Sequence, residues 1–316
     1  MSYRWFPSLL RRAPLAALLA TSLLAAPGAI AEPHDTPWHL AHGFRNLDNG
    51  YSYTLSGRAW GLLRRAVTRS PERGAPPARL ANDGAVLRAN GTHPTITWVG
   101  HATLLVQLAA VNVLTDPIWS DHIGPPLLGV NRQVPPGIRF QDLPRIHAVV
   151  ISHDHYDHLD LPTVQRLARE HNPTFFVPLG IGAWLAERGI TNVVELDWWQ
   201  SQAFRGLTFT ATPAQHGSGR GLLDQNERLW ASWVIRGDGK RFFFGGDTGY
   251  TPALAEIGRR LGPFDVAALL VPMHWGTFDM NREPFREPPT RLLAEALRRG
   301  EEERVALLSQ GQSIDW

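Results

Sequence analysis

The stretch Ala148-Val149-Val150-Ile151-Ser152-His153-Asp154-His155-Tyr156-Asp157-His158 decides how this chain is read. Its first five residues are an apolar run closing on a serine, the mark of a strand buried on both faces. The next six carry three imidazoles and two carboxylates. Side chains two apart on extended backbone point the same way, so His153 and His155 can grip one ion. The period of Leu161–Glu170 predicts a helix, and Asp157 and His158 fall on the turn into it, where they can reach a second ion beside the first. The chain has no cysteine. Disulfides, thiolate metal sites, iron–sulfur ligation and a cysteine nucleophile are therefore excluded. Imidazole and carboxylate are then the right ligands for zinc or iron.

Three further residues repeat this placement. His216 follows the predicted strand Leu207–Thr212 through Pro213-Ala214-Gln215. Asp247 follows Arg241–Phe244 through Gly245-Gly246, and His274 follows Val266–Val271 through Pro272-Met273. Each lies just past the C-terminal end of a strand, where open α/β layers present their sites. Other predicted strands are Thr95–Val99, Thr103–Leu108, Val111–Thr115, Thr174–Val177, Asn192–Leu196, Ala231–Arg236 and Val305–Leu308. Helices are expected at Gly182–Arg188, Pro252–Leu261 and Pro289–Arg299. Strands and helices alternate, so the class is α/β-like (α+β) with layered sheets. The proline-rich stretch 121–137 predicts a long loop.

The start of the chain reads differently. Arg4, Arg11 and Arg12 precede an Ala/Leu run from Leu15 to Leu24, and Ala29-Ile30-Ala31 is a small-x-small cleavage site. Residues 1–31 are thus expected to be a signal peptide, with Sec and twin-arginine export both open and the mature protein periplasmic or secreted. Residues 32–93 read as an irregular arm with a helical stretch near Ala59–Thr68. Residues 94–316 read as the catalytic domain. Apolar residues make up 43% and charged residues 19% of 316, enough for a sizeable core. The formal charge of +2 comes from the leader: beyond residue 31, 28 basic groups face 29 acidic ones. That balance leaves no basic footprint for nucleic acid.

HDHYDH, then PAQH, then GGDTGY, resembles the metallo-β-lactamase superfamily of metallohydrolases. Trp98-Val99-Gly100-His101-Ala102-Thr103, Thr115-Asp116-Pro117-Ile118 and His274-Trp275-Gly276-Thr277-Phe278 are similar to the branch containing N-acyl-phosphatidylethanolamine-hydrolysing phospholipase D. So is the arm segment His42-Gly43-Phe44-Arg45-Asn46, and the match runs through residues 38–300. The resemblance implies a four-layer αββα sandwich. It implies one zinc ion on His153, His155 and His216, and a second on Asp157, His158 and His274, with Asp247 bridging. It also implies an attacking hydroxide held between the ions, which Asp157 and Asp247 serve as catalytic carboxylates. The residual positive charge of such a centre favours an anionic substrate, such as a phosphodiester in a phospholipid. His101 and Asp116 are expected to support the ligands rather than to ligate. The expected partners are a small-molecule or lipid substrate and a peripheral membrane contact, with loop 121–137 a candidate to cover an acyl chain. Oligomeric state stays open.

One departure bears on function. Relatives place a loop, a helix and a strand before the His-Trp-Gly-Thr motif, whereas Asp265 to His274 runs here without interruption. A parallel neighbour needs a crossover of a dozen or more residues. One strand and one helix are therefore expected to be missing near residue 270. His274 would then be shifted by one strand position, or the chain would be a catalytically impaired metal-binding relative. An amide or lactone hydrolase, β-lactams included, is the other enzyme reading.

Overall fold

A computed structural model describes residues 36–48, 74–125, 129–221, 223–268, 273–280 and 284–316. The expected signal peptide and the helical stretch near Ala59–Thr68 lie outside them. A short helix α1 (Ala85–Ala89) precedes three antiparallel strands, β1 (Thr95–Gly100), β2 (Thr103–Leu108) and β3 (Val111–Thr115). Ala109 and Ala110, both at positive φ, close the β2–β3 turn, the backbone twist that tight hairpins demand. Two short pairing segments, β4 (His122–Ile123) and β5 (Val130–Asn131), form a small ribbon inside the expected loop 121–137. Then β6 (Ala148–Val150), helix α2 (Leu161–Glu170), β7 (Thr174–Pro178), helix α3 (Ile181–Ala186) and β8 (Val193–Leu196) wind up a parallel half-sheet.

The chain next enters a second sheet: β9 (Ser201–Phe204), β10 (Leu207–Thr212), β11 (Ser232–Gly237) and β12 (Lys240–Phe244), all antiparallel. Asp238-Gly239 supplies the positive-φ pair between β11 and β12. Helix α4 (Ala253–Leu261), β13 (Val266–Ala267), helix α5 (Glu287–Arg299) and β14 (Ser313–Asp315) complete the fold. The first sheet has the order β14-β1-β2-β3-β6-β7-β8, and the second β13-β12-β11-β10-β9.

The two sheets share one core. Trp98, Leu104, Val106, Val150 and Phe176 of the first meet Phe209, Trp233, Ile235, Phe242 and Phe244 of the second. Phe176 and Phe209 stack at 4.1 Å. Each such side chain contributes roughly 1.5–3 kcal/mol by burial. On the outer face of the first sheet, Val164 and Leu167 of α2 and Ile181 and Leu185 of α3 cover Val149, Phe175 and Val177. On the outer face of the second, Ile257 of α4 covers Val234 and Phe243. Helix, sheet, sheet, helix is the expected αββα layering.

Two expectations need correction, and one is met in part. Strand Val305–Leu308 does not form; Ala306 and Leu308 fill the inter-sheet core without a ladder partner, and the last strand is β14, paired with β1. Of the strand expected over Val266–Val271, Val266 and Ala267 form β13 and Ala268 N still bonds the Phe243 carbonyl at 2.7 Å from a turn, while residues 269–271 lie outside the described residues. Strand β9 was not expected, because three of its four residues are exposed.

Candidate metal centre

Strand β6 delivers the decisive motif to the rim. Ile151 still pairs with Phe176 (N···O 3.0 Å). Asp116, just past β3, then takes over: its Oδ1 accepts from the Ser152 N–H at 2.7 Å and its N–H bonds the Val150 carbonyl at 2.9 Å. Beyond this anchor the imidazoles converge. His153 Nε2 lies 2.9 Å from His155 Nδ1, and His216 Nε2 lies 3.3 Å from the same atom. Nitrogens on one tetrahedral ion with bonds of about 2.0–2.1 Å stand roughly 3.3 Å apart, so this trio has the spacing of a shared ion.

The second group sits beside it. Asp157 Oδ2 is 3.0 Å from His274 Nε2 and 3.2 Å from His158 Nε2. The latter two nitrogens are 3.1 Å apart. Asp247 faces both groups: Oδ1 is 3.3 Å from His158 and 3.4 Å from His274, while Oδ2 is 3.8 Å from His216. All seven ligand candidates read from the sequence are thus brought together. His101 joins them, its Nε2 2.9 Å from Asp157 Oδ2. Within the described residues, three groups of metal-competent atoms overlap here: His153, His155 and His216; His101, Asp157, His158 and His274; and His153, His158 and Asp247.

Supporting bonds set which nitrogen carries the proton. Ser152 Oγ donates to Asp116 Oδ2 at 2.5 Å and so accepts from His153 Nδ1 at 2.9 Å. His158 Nδ1 donates to Asp116 Oδ2 at 2.6 Å. Both rings therefore turn Nε2 inward, as ligands do when a carboxylate or hydroxyl orients them. Asp154, fully buried, braces the turn by accepting from Gly219 N at 2.6 Å and Arg228 Nε at 2.5 Å. Two buried indoles hold the approach strands: Trp233 Nε1 donates to Ile151 O and Trp230 Nε1 to Ala214 O, each at 2.9 Å. Asp116 bonds Ser152 and His158, and His101 meets Asp157 from within the second group. Ser152, Asp154 and the two indoles carried no local signal; only the fold shows what they hold.

The electrostatics suit cations. Burial takes His153 well below the ordinary histidine range, His216 down to about 3, and lowers His155. These three are neutral near pH 7, with lone pairs to offer. Burial opposes ionisation of Asp157 and Asp247, yet the neighbouring His158 charge and hydrogen bonds hold both well below the usual carboxylate range. Burial also pushes against charge on His158 and His274, but Asp247 and Asp157 overcome it and raise both. The two carboxylates are thus held ionised against protons on His158 and His274, positive charge that a bound cation would supply in their place. Neutral imidazoles and ionised carboxylates are the donor set that a zinc-like ion takes, so the residues fit such a group.

His274 lies past β13 and outside the described strands, as a residue following a strand should. It stands at φ 67° on a separate bend. Its N–H bonds the His101 carbonyl at 2.9 Å. Thr277 Oγ1 accepts from His101 N and from Gln310 Nε2, each at 2.8 Å, and Gln133 N bonds the Thr277 carbonyl at 2.7 Å. Gln133 belongs to the stretch 121–137, so that stretch pins the bend that carries His274. Beside the centre opens a cleft of about 530 Å³. His216, Asp247 and His274 line one part of it, and Met273, Pro288 and Leu292 give it apolar surface.

Comparison with known proteins agrees with this geometry. A family model described as a beta-lactamase superfamily domain matches residues 111–307. An uncharacterized protein of Mycobacterium tuberculosis is 38% identical over 326 residues, covering 90% of this chain and 86% of the relative. The N-acyl-phosphatidylethanolamine-hydrolyzing phospholipase D 1 of Caenorhabditis elegans is 44% identical over 186 residues, which are 55% of this chain and 52% of that enzyme. A solved metallo hydrolase from the archaeon Ignicoccus hospitalis is similar with a TM-score of 0.56 at 24% identity, over 71% of this chain and 99% of that one. At that identity the likeness speaks for the fold.

Proposed function

From the premise that the chain belongs to the metallo-β-lactamase superfamily of metal-dependent hydrolases, we propose that it cleaves a phosphodiester bond in an N-acyl-phosphatidylethanolamine-type phospholipid, using two zinc ions. The observation that carries this reading is the convergence of His153, His155, His216, Asp157, His158, His274 and Asp247 on one rim, with Asp247 turned to both groups. The likeness to the nematode phospholipase supports the substrate class. So does the cleft, which sets apolar surface beside the charged rim.

His153, His155 and His216 would hold one ion, and Asp157, His158 and His274 the other, with Asp247 between them. Ions bound there would lower the pKa of water and polarise a phosphoryl oxygen. The protein's own part is orientation. Asp157 accepts from His101, which fixes its carboxylate beside the second group. Asp116 and Ser152 fix the tautomers of His158 and His153. Met273, Pro288 and Leu292 would take the apolar end of the substrate. We place the reaction outside the cytoplasm, on the leader read in residues 1–31; cell fractionation tests that placement.

The test uses zinc-loaded protein with N-acyl-phosphatidylethanolamine, bis(p-nitrophenyl) phosphate and nitrocefin. Release of phosphatidic acid from the lipid is the expected result. Turnover of nitrocefin with both phosphodiesters untouched would replace this reading with amide hydrolysis.

A further inference from the structure

Three ligand candidates make the first group, and only two of them come from the turn after β6. His216 arrives separately, on the loop Pro213-Ala214-Gln215 that leaves β10. What fixes its backbone is a side chain far away in sequence. Asn46 Nδ2 donates to the His216 carbonyl at 2.8 Å, and Asn46 Oδ1 accepts from the His216 N–H at 3.1 Å. One carboxamide thus holds both peptide groups that flank a single Cα. Such a two-point grip sets the direction of the Cα–Cβ bond, and with it the aim of the imidazole.

The same segment reaches the neighbouring loop. Asp48 Oδ2 accepts from Thr251 Oγ1 at 3.0 Å, four residues beyond Asp247. The two loops are tied together as well: Gln215 N donates to Thr248 Oγ1 at 2.9 Å, and Gly249 N bonds the Gln215 carbonyl at 2.8 Å. Segment 37–48 therefore lies against the two loops that carry His216 and Asp247.

Its other end is anchored away from the centre. Trp38 Nε1 donates to Asp197 Oδ1 at 2.9 Å, and its ring packs on Trp198 at 5.3 Å. Phe44 N bonds the Asn226 carbonyl at 2.8 Å. Gly43 makes that approach possible. It stands at φ 79°, and a Cβ there would lie 2.2 Å from Asn226 O. Only glycine meets both demands.

We propose that segment 37–48 is a brace for the metal centre and that Asn46 is a positioning residue for His216. The inference goes beyond the hydrolase reading and rests on His216 being a metal ligand. Residues that orient metal ligands typically alter metal affinity about 10–100-fold when removed.

The experiment compares the full chain with Asn46→Ala, Asn46→Asp and Arg45→Ala. Arg45 lies on the same segment; its side chain bonds the Pro37 carbonyl through Nε and its N–H the Trp38 carbonyl, so its alanine variant reports general loosening. Zinc affinity is read by chelator competition, and first-site coordination by the visible spectrum of the cobalt-loaded protein. Asn46→Ala is expected to bind the first zinc about tenfold or more weakly and to change the cobalt spectrum, with Arg45→Ala within about twofold of wild type. Asn46→Asp keeps the acceptor for His216 N–H and removes the donor to the His216 carbonyl. It is expected to fall between the two, and it carries the test should the alanine variant not fold. Asn46 variants with wild-type affinity and spectrum would overturn the brace while leaving the centre intact. A wild-type chain that takes no metal would overturn the centre itself, and the brace with it.

Discussion

Strand β6 has histidines at both ends, and the two ends treat them in opposite ways. Where the strand begins, His147 Nδ1 accepts from Asn112 N at 2.9 Å and His171 Nδ1 accepts from Ile146 N at 3.1 Å. Those lone pairs are taken by the backbone, and the rings serve as polar fasteners. Where the strand ends, His153, His155, His158, His216 and His274 turn nitrogens toward one another and toward two carboxylates. Lone pairs set face to face are unfavourable unless something positive sits between them. A histidine's role here follows from what its inward nitrogen meets, and burial alone does not distinguish the two ends.

The sharpest way to break this comparison is to remove one ring from each end. His153→Ala should lose the first-group metal and lower phosphodiester turnover by more than the about 100-fold that a merely orienting residue costs. His147→Ala should keep its metal and its turnover per folded molecule. Elemental analysis and initial rates check both, and metal loss in His147→Ala would erase the distinction.

Asp116→Ala comes next. It strips the acceptor from Ser152 N–H, Ser152 Oγ–H and His158 Nδ1–H. Metal affinity should fall about 10–100-fold. The fold should also weaken, since each buried donor left unpaired costs about 1–3 kcal/mol. Chelator competition and urea unfolding read the two effects separately. At the other end, His147→Ala should cost about 1–3 kcal/mol through the Asn112 N–H alone.

The smallest effect is one of pH. Burial lowers the pKa of both His147 and His171. The folded state therefore prefers the neutral ring, and below about pH 6.5 the unfolded chain binds more protons. Their contribution is fully present above that pH and is lost as pH falls. Urea unfolding of wild type and His147→Gln at pH 7.5 and 5.5 should show a smaller acid-induced loss in the variant. A larger loss in the variant would contradict the assignment.

Much of the centre was legible in sequence because its logic is local. His153, His155, Asp157 and His158 lie within six residues after a buried strand, and His216 and Asp247 each follow a recognisable strand by a short turn. The supports were less legible, because they are bonds across the fold: Ser152 to Asp116, Asp154 to Arg228, Asn46 to His216. The segment from Asp265 to His274 misled for a physical reason. An apolar run does not reveal where its ladder partner ends, and among the described residues Val266 and Ala267 are the ones in register with β12. His274 is held instead by His101, with its bend fixed through Thr277 and Gln133. The same blindness put a strand at Val305–Leu308, where apolar residues fill the core without pairing.

The most direct test is the metal content of the purified full chain after zinc loading and removal of free ion. About two ions per chain are predicted, because both groups and the Asp247 between them are in place. A value of one or none would contradict the claim that these separate loops build a two-ion centre.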